Sequence, residues 1–101
     1  MIQVFLEDEN GAGLAEVVDG HGVLLGGRRE DGYSELCCLR FIDTYGDTVF
    51  NYLQMPTLLN ELDWLRGKVS DSAEIKVIED TRNLAIRCRD AVGMYLKFYG
   101  D

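Results

Sequence analysis

The hydrophobic pattern of this sequence changes period at Pro56 and changes back after Gly93. Before Pro56 the apolar residues form short runs, several of them β-branched or aromatic, broken by Gly, Asp and Asn. Between Pro56 and Val92 they recur every three or four residues. A short run, Met94 to Phe98, then closes the chain. A strand turns its side chains to alternate faces, and a helix brings them back to one face about every 3.6 residues. The order is therefore hairpins, then two helices, then one strand. This predicts an α+β fold: an antiparallel sheet of about four to five strands, packed by two antiparallel helices. With 101 residues there is room for one domain, residues 1–101, and no second core.

The elements can be placed from local chemistry. Ile2 to Leu6 reads as a strand and stops at Glu7-Asp8-Glu9. Asn10-Gly11 is a hairpin signal, with Leu14 to Val18 pairing back. Asp19-Gly20-His21-Gly22 is a further turn, Val23-Leu24-Leu25 a short apolar segment, and Gly26 to Tyr33 an exposed loop. Leu36 to Ile42 reads as a strand paired with Thr48 to Asn51 across the turn Asp43-Thr44-Tyr45-Gly46-Asp47. Pro56 suits a first helical turn, Leu58, Leu62 and Leu65 share a stripe with Leu59 beside it, and Gly67 suits the stop. On this reading Asn60, Glu61, Asp63 and Arg66 lie off the stripe. Ser70 or Asp71 caps the second helix, whose apolar stripe runs from Val77 or Ile78 through Thr81, Leu84 or Ala85, and Cys88 to Ala91 or Val92.

Charge excludes several function classes. The chain carries 10 basic and 18 acidic side chains, a net charge of -8. A general nucleic-acid binder needs Lys and Arg to displace counterions from phosphates, and an anionic membrane surface makes the same demand. No apolar run approaches the length of about 20 residues that spans a bilayer, and the N-terminus lacks a basic leader. A cytoplasmic location is expected. The acid is unevenly spread: residues 1–50 hold three arginines and ten acids, a net of -7, against -1 for residues 51–101. A basic protein partner is expected to meet the first half.

The segment LRFIDTYGDTVFN (Leu39 to Asn51), followed by Leu53-Gln54-Met55-Pro56, a leucine-rich helix and the ending Tyr95-Leu96-Lys97-Phe98, resembles a pattern in small uncharacterised bacterial proteins. The resemblance implies an α+β fold and brings no activity with it.

Cys37 and Cys38 are adjacent and Cys88 stands alone, which makes neither a disulfide framework nor a tight zinc chelate. They read as core or half-buried thiols. His21, the one histidine, sits between two glycines and reads as an exposed turn residue. Gly11-Ala12-Gly13 and Gly20-His21-Gly22 precede no convincing helix and read as turns, not phosphate cradles. No metal and no cofactor is expected. Asp43 and Asp47 flank a glycine turn with Tyr45 at its tip, the form of an aromatic anchor between two acids. Glu7, Asp8 and Glu9 form a second acidic group, and Trp64 either completes the core edge or joins a protein contact.

These residues leave three classes. The first is a small acidic binding or inhibitor protein, in its most concrete form an immunity or antitoxin protein that neutralises a basic partner such as a nuclease. Its expected contact residues are Asp43, Tyr45, Asp47, Glu7, Asp8, Glu9 and Trp64. The second is an accessory protein that assembles into an oligomer or complex. The third is a small enzyme that uses carboxylates such as Glu7, Asp43 and Asp47. The first is preferred, with no catalytic residue expected.

Overall fold

The structure, a computed structural model, describes residues 1–101, apart from the side-chain surroundings of residues 27 and 29. Four strands form one antiparallel sheet: β1 (Ile2–Glu7), β2 (Gly13–Asp19), β3 (Asp47–Asn51) and β4 (Tyr95–Tyr99). Their order is β2-β1-β4-β3, so β2 and β3 are the edges. Two helices, α1 (Met55–Arg66) and α2 (Ser72–Asp90), cover one face. Asp63 pairs with Arg82 and Arg66 with Glu79 across them, and these opposed numberings show that the helices run antiparallel. The expected α+β architecture is therefore observed, with four strands.

Alternation decides what each strand buries. Ile2, Val4 and Leu6 of β1 and Leu96 and Phe98 of β4 are buried against the helices. Phe50 of β3 meets Phe98 edge-to-face at 5.6 Å between ring centres. From α2 come Ile78, Thr81, Leu84, Ala85 and Cys88, the stripe expected from spacing except at its end: the helix stops at Asp90, so Ala91 and Val92 do not extend it, and Val92 is exposed. Thr81 sits in this apolar layer because its hydroxyl donates to the Val77 carbonyl one turn back, at 2.8 Å.

The β1–β2 hairpin forms where Asn10-Gly11 places it. Gly11 takes φ +82°, which few side chains tolerate. The Asp8 carboxylate closes the turn by accepting from the Asn10 and Ala12 amides. Asp71 caps α2 by accepting from the Glu74 amide. Gly67 ends α1 without a left-handed turn, at φ -70°.

The middle of the chain departs from expectation. Leu36 to Ile42 is not a strand, and β3 pairs with β4 rather than with it. The segment from Val23 to Phe41 instead holds three short 3-10 helices, Val23–Arg29, Tyr33–Glu35 and Leu39–Phe41. Of the charged run Arg28-Arg29-Glu30-Asp31, Arg28, Glu30 and Asp31 are exposed, and the Arg29 side chain lies outside the described residues.

Two buried carboxylates explain this path. Glu61 of α1 lies with Leu58 and Leu65 on the buried side of the helix, not off the stripe. It accepts from three successive amides: Cys37 at 2.5 Å, Cys38 at 3.0 Å and Leu39 at 2.8 Å. Successive amides of a strand point to opposite sides, so they converge on one carboxylate only if the chain curls. Asp19, fully buried at the end of β2, does the same for the Val23 and Leu24 amides, both at 2.8 Å. Each carboxylate satisfies the free amides that begin a short helix. Leu24, Leu36, Cys38, Leu39 and Ile42 can then enter the core without carrying unpaired backbone donors with them.

Candidate functional site

With both helices on one side, the other face of the sheet stays bare. Its residues follow from alternation and register. Gln3, Phe5 and Glu7 of β1 lie beside Tyr99, Lys97 and Tyr95 of β4. Beyond them come Asp47, Val49 and Asn51 of β3 on one side, and Val18, Glu16 and Leu14 of β2 on the other. Leu14, Val18, Val49 and Tyr95 are exposed. The face thus mixes apolar and aromatic groups with three carboxylates (Glu7, Glu16 and Asp47) and one ammonium, Lys97.

Its centre is ordered by a polar and aromatic network. Tyr99 stands edge-on to Phe5 at 5.3 Å and donates its hydroxyl to the Glu7 carboxylate. The Lys97 ammonium lies 4.7 Å from the Tyr99 ring centre. The bond to Glu7 raises the Tyr99 pKa above the ordinary tyrosine value, burial adds to it, and Lys97 opposes it. Lys97 is itself raised, chiefly by hydrogen bonding to Tyr99, with Glu7 and Asp47 contributing through charge. A shallow concavity of about 490 Å³ borders this group, lined by Gln3, Phe5, Glu7 and Tyr99 and by the glycines 11, 13 and 100.

The contact residues expected from sequence fall in three places. Asp43, Tyr45 and Asp47 lie at the end of the sheet where Asp47 pairs with Tyr99. Glu7, Asp8 and Glu9 lie at the other end, where Glu7 pairs with Tyr95. Trp64 is on α1, half-buried, beside Gly32 and under the Lys68 ammonium.

Their states differ as well. Tyr45 is 82% exposed on a loop fixed from both sides. The Tyr45 amide donates to Asp43 Oδ1 and the Asp43 amide to Thr48 Oγ1, each at 2.9 Å, while the Gly100 amide donates to the Gly46 carbonyl at 2.8 Å. The loop crosses Gly100 so closely that a Cβ there would stand 2.1 Å from the Thr44 carbonyl oxygen. Both acids of the pair are exposed, and Asp43 is engaged in its own turn. At the other end Asp8 closes the hairpin turn, Glu7 is 8% exposed and bound to Tyr99, and Glu9 is exposed beside Gly93.

Sequence reasoning did not single out Phe5, Glu16, Val49, Lys97 or Tyr99. Alternation within each strand was a usable signal, but only the strand order puts these residues side by side. The cysteines divide by burial. Cys37 is exposed, unlike the core or half-buried thiol expected, because its segment curls on the surface of α1. Cys38 and Cys88 are buried, and burial pushes both thiols up to about 11, with Glu61 and Cys37 adding to the effect at Cys38. His21 is exposed in its turn, as expected. Among the described residues no three His, Cys, Asp or Glu side chains gather as a metal-binding group.

Among the described residues no helix is long and apolar enough to cross a membrane. In comparisons with protein families, curated proteins and solved structures, nothing matches the chain.

Proposed function

We propose that this chain is a small acidic binding protein that holds a basic protein partner by surface complementarity, in the manner of an immunity or antitoxin protein. One observation carries the reading. The bare sheet face joins exposed apolar groups to an excess of carboxylates, and a braced loop holds Tyr45 exposed at the end of the same sheet. Protein contacts are built this way: aromatic and apolar groups supply burial, and surrounding charges choose and steer the partner. The net charge of -8 favours a basic partner, and a cytoplasmic setting fits this role.

The test is copurification with the product of the adjoining reading frame, at low and at high salt. Association with a basic protein that weakens as salt rises supports the proposal. Asp47→Lys and Glu9→Lys then slow association without unfolding the chain, since both acids are exposed. A neutral or acidic partner bound equally well at all salt concentrations refutes it.

The bare face also favours a second reading, an assembly protein that covers this face with a further copy. Gel filtration separates the two. A monomer at micromolar concentration excludes self-assembly, and a stable oligomer buried through Val49 and Tyr95 excludes the first reading.

A further inference from the structure

The edge strand β2 and the helix beside it form a groove. Glu16, Val17 and Val18 line one side, and Ala73, Val77 and Asn83 of α2 line the other. Its volume is about 550 Å³. Among the described residues, residues 14–18 make no backbone hydrogen bond on the side away from β1. An open edge with a groove alongside is the setting in which an extended segment adds as a further strand. Its main chain bonds the edge, and alternate side chains enter the groove.

The charges select the occupant. Lys76 at the groove wall is already paired with Asp80, at 2.9 Å. Among the described residues Glu16, at the middle of the strand, accepts only from the Gln3 side-chain amide, at 3.4 Å. A second copy fits poorly: full antiparallel pairing of Gly13–Asp19 with itself sets Glu16 opposite Glu16, and like charges directly opposite destabilise a strand pair. A basic side chain opposite Glu16 gains what a second copy loses.

We infer that β2 and this groove receive an extended segment of the partner, with an apolar residue over Val17 and Val77 and a Lys or Arg opposite Glu16. This rests on the proposal of a basic protein partner and adds to the bare face a second place of contact, at its β2 edge.

The probe is an array of capped ten-residue peptides in which Val or Ile alternates with Lys, Arg, Gln or Glu. The wild-type chain is expected to retain the Lys and Arg peptides over their Glu counterparts. Glu16→Lys should weaken that retention about tenfold and favour the Glu peptides. Ala73→Trp fills the groove from an exposed helix position and should abolish retention, with the circular dichroism melt of each variant confirming its fold. Amide exchange with the strongest peptide should slow within residues 14–18.

Equal retention of basic and acidic peptides overturns the inference. So do unchanged binding by both folded variants, protection confined to other residues, or dimerisation through residues 14–18 without peptide. If Ala73→Trp still copurifies with a basic protein in a salt-sensitive complex, the edge inference fails and the proposed function stands. If no basic protein associates at low salt, the proposed function fails first.

Discussion

Replacing Glu61 tests the account of why the middle of the chain curls. In Glu61→Gln one carboxylate oxygen becomes an NH2 group. If Oε2 is the one replaced, a donor faces the Cys37 amide, while Oε1 still accepts from Cys38 and Leu39 as a neutral amide oxygen. Bonds to a charged acceptor contribute about 1.5–3 kcal/mol each and neutral ones about 1 kcal/mol. Water can reach the exposed Cys37, so its loss is partly recovered, and the Cys38 and Leu39 bonds are weakened but kept. The net cost is about 2 kcal/mol. For a domain of this size that lowers the melting temperature by about 8–16 °C. Glu61→Ala strands all three amides and should cost more, about 3–5 kcal/mol.

Urea unfolding at neutral pH measures both costs. Cys38 reports on the site itself, because its amide is one of the three and its thiol is buried. Its reaction with a disulfide reagent should quicken in Glu61→Gln before global unfolding. A loss within about 0.5 kcal/mol for Glu61→Gln, the size of an ordinary surface substitution, together with an unchanged Cys38 rate, would refute the reasoning.

Two further predictions concern groups with shifted pKa values. Tyr99 is raised in the folded chain, so its contribution is fully present below the ordinary tyrosine pKa and is lost as pH rises through the folded value. Tyr99→Phe should remove that alkaline loss and cost about 1–3 kcal/mol at neutral pH by leaving Glu7 without its donor, as urea titrations at several pH values would show. In the native wild-type chain, Cys37 should react rapidly with a thiol reagent, while Cys38 and Cys88, with thiols near 11, react at the rate of opening. Cys37→Ser should abolish the fast phase and leave the slow one.

Where local chemistry decides structure, the sequence was readable. Asn10-Gly11 and Asp8 build their hairpin from neighbouring groups, and Asp71 caps α2 from within its first turn. The stripe of α2 and the alternation of β1 and β4 depend only on helix and strand geometry. Leu36 to Ile42 has strand composition, yet its path is decided by a carboxylate more than 20 residues later in the chain. A glutamate in a leucine stripe could have flagged Glu61, but not what it would bind.

The candidate site divides along the same line. Tyr45, Asp47 and Glu9 were visible as exposed residues in or beside turns, because turn chemistry is local. Glu7 was expected on the surface, and only the reach of Tyr99 from β4 covers it. The sequence alone determined an acidic α+β chain with hairpin, helices and closing strand in that order, since period and turn residues act over a few positions. Tertiary structure decided that β4 enters the sheet between β1 and β3. It thereby decided which face stays bare, which strands remain open at the edges, and which carboxylates are buried. Those outcomes depend on pairings between distant segments, which no short stretch of sequence encodes.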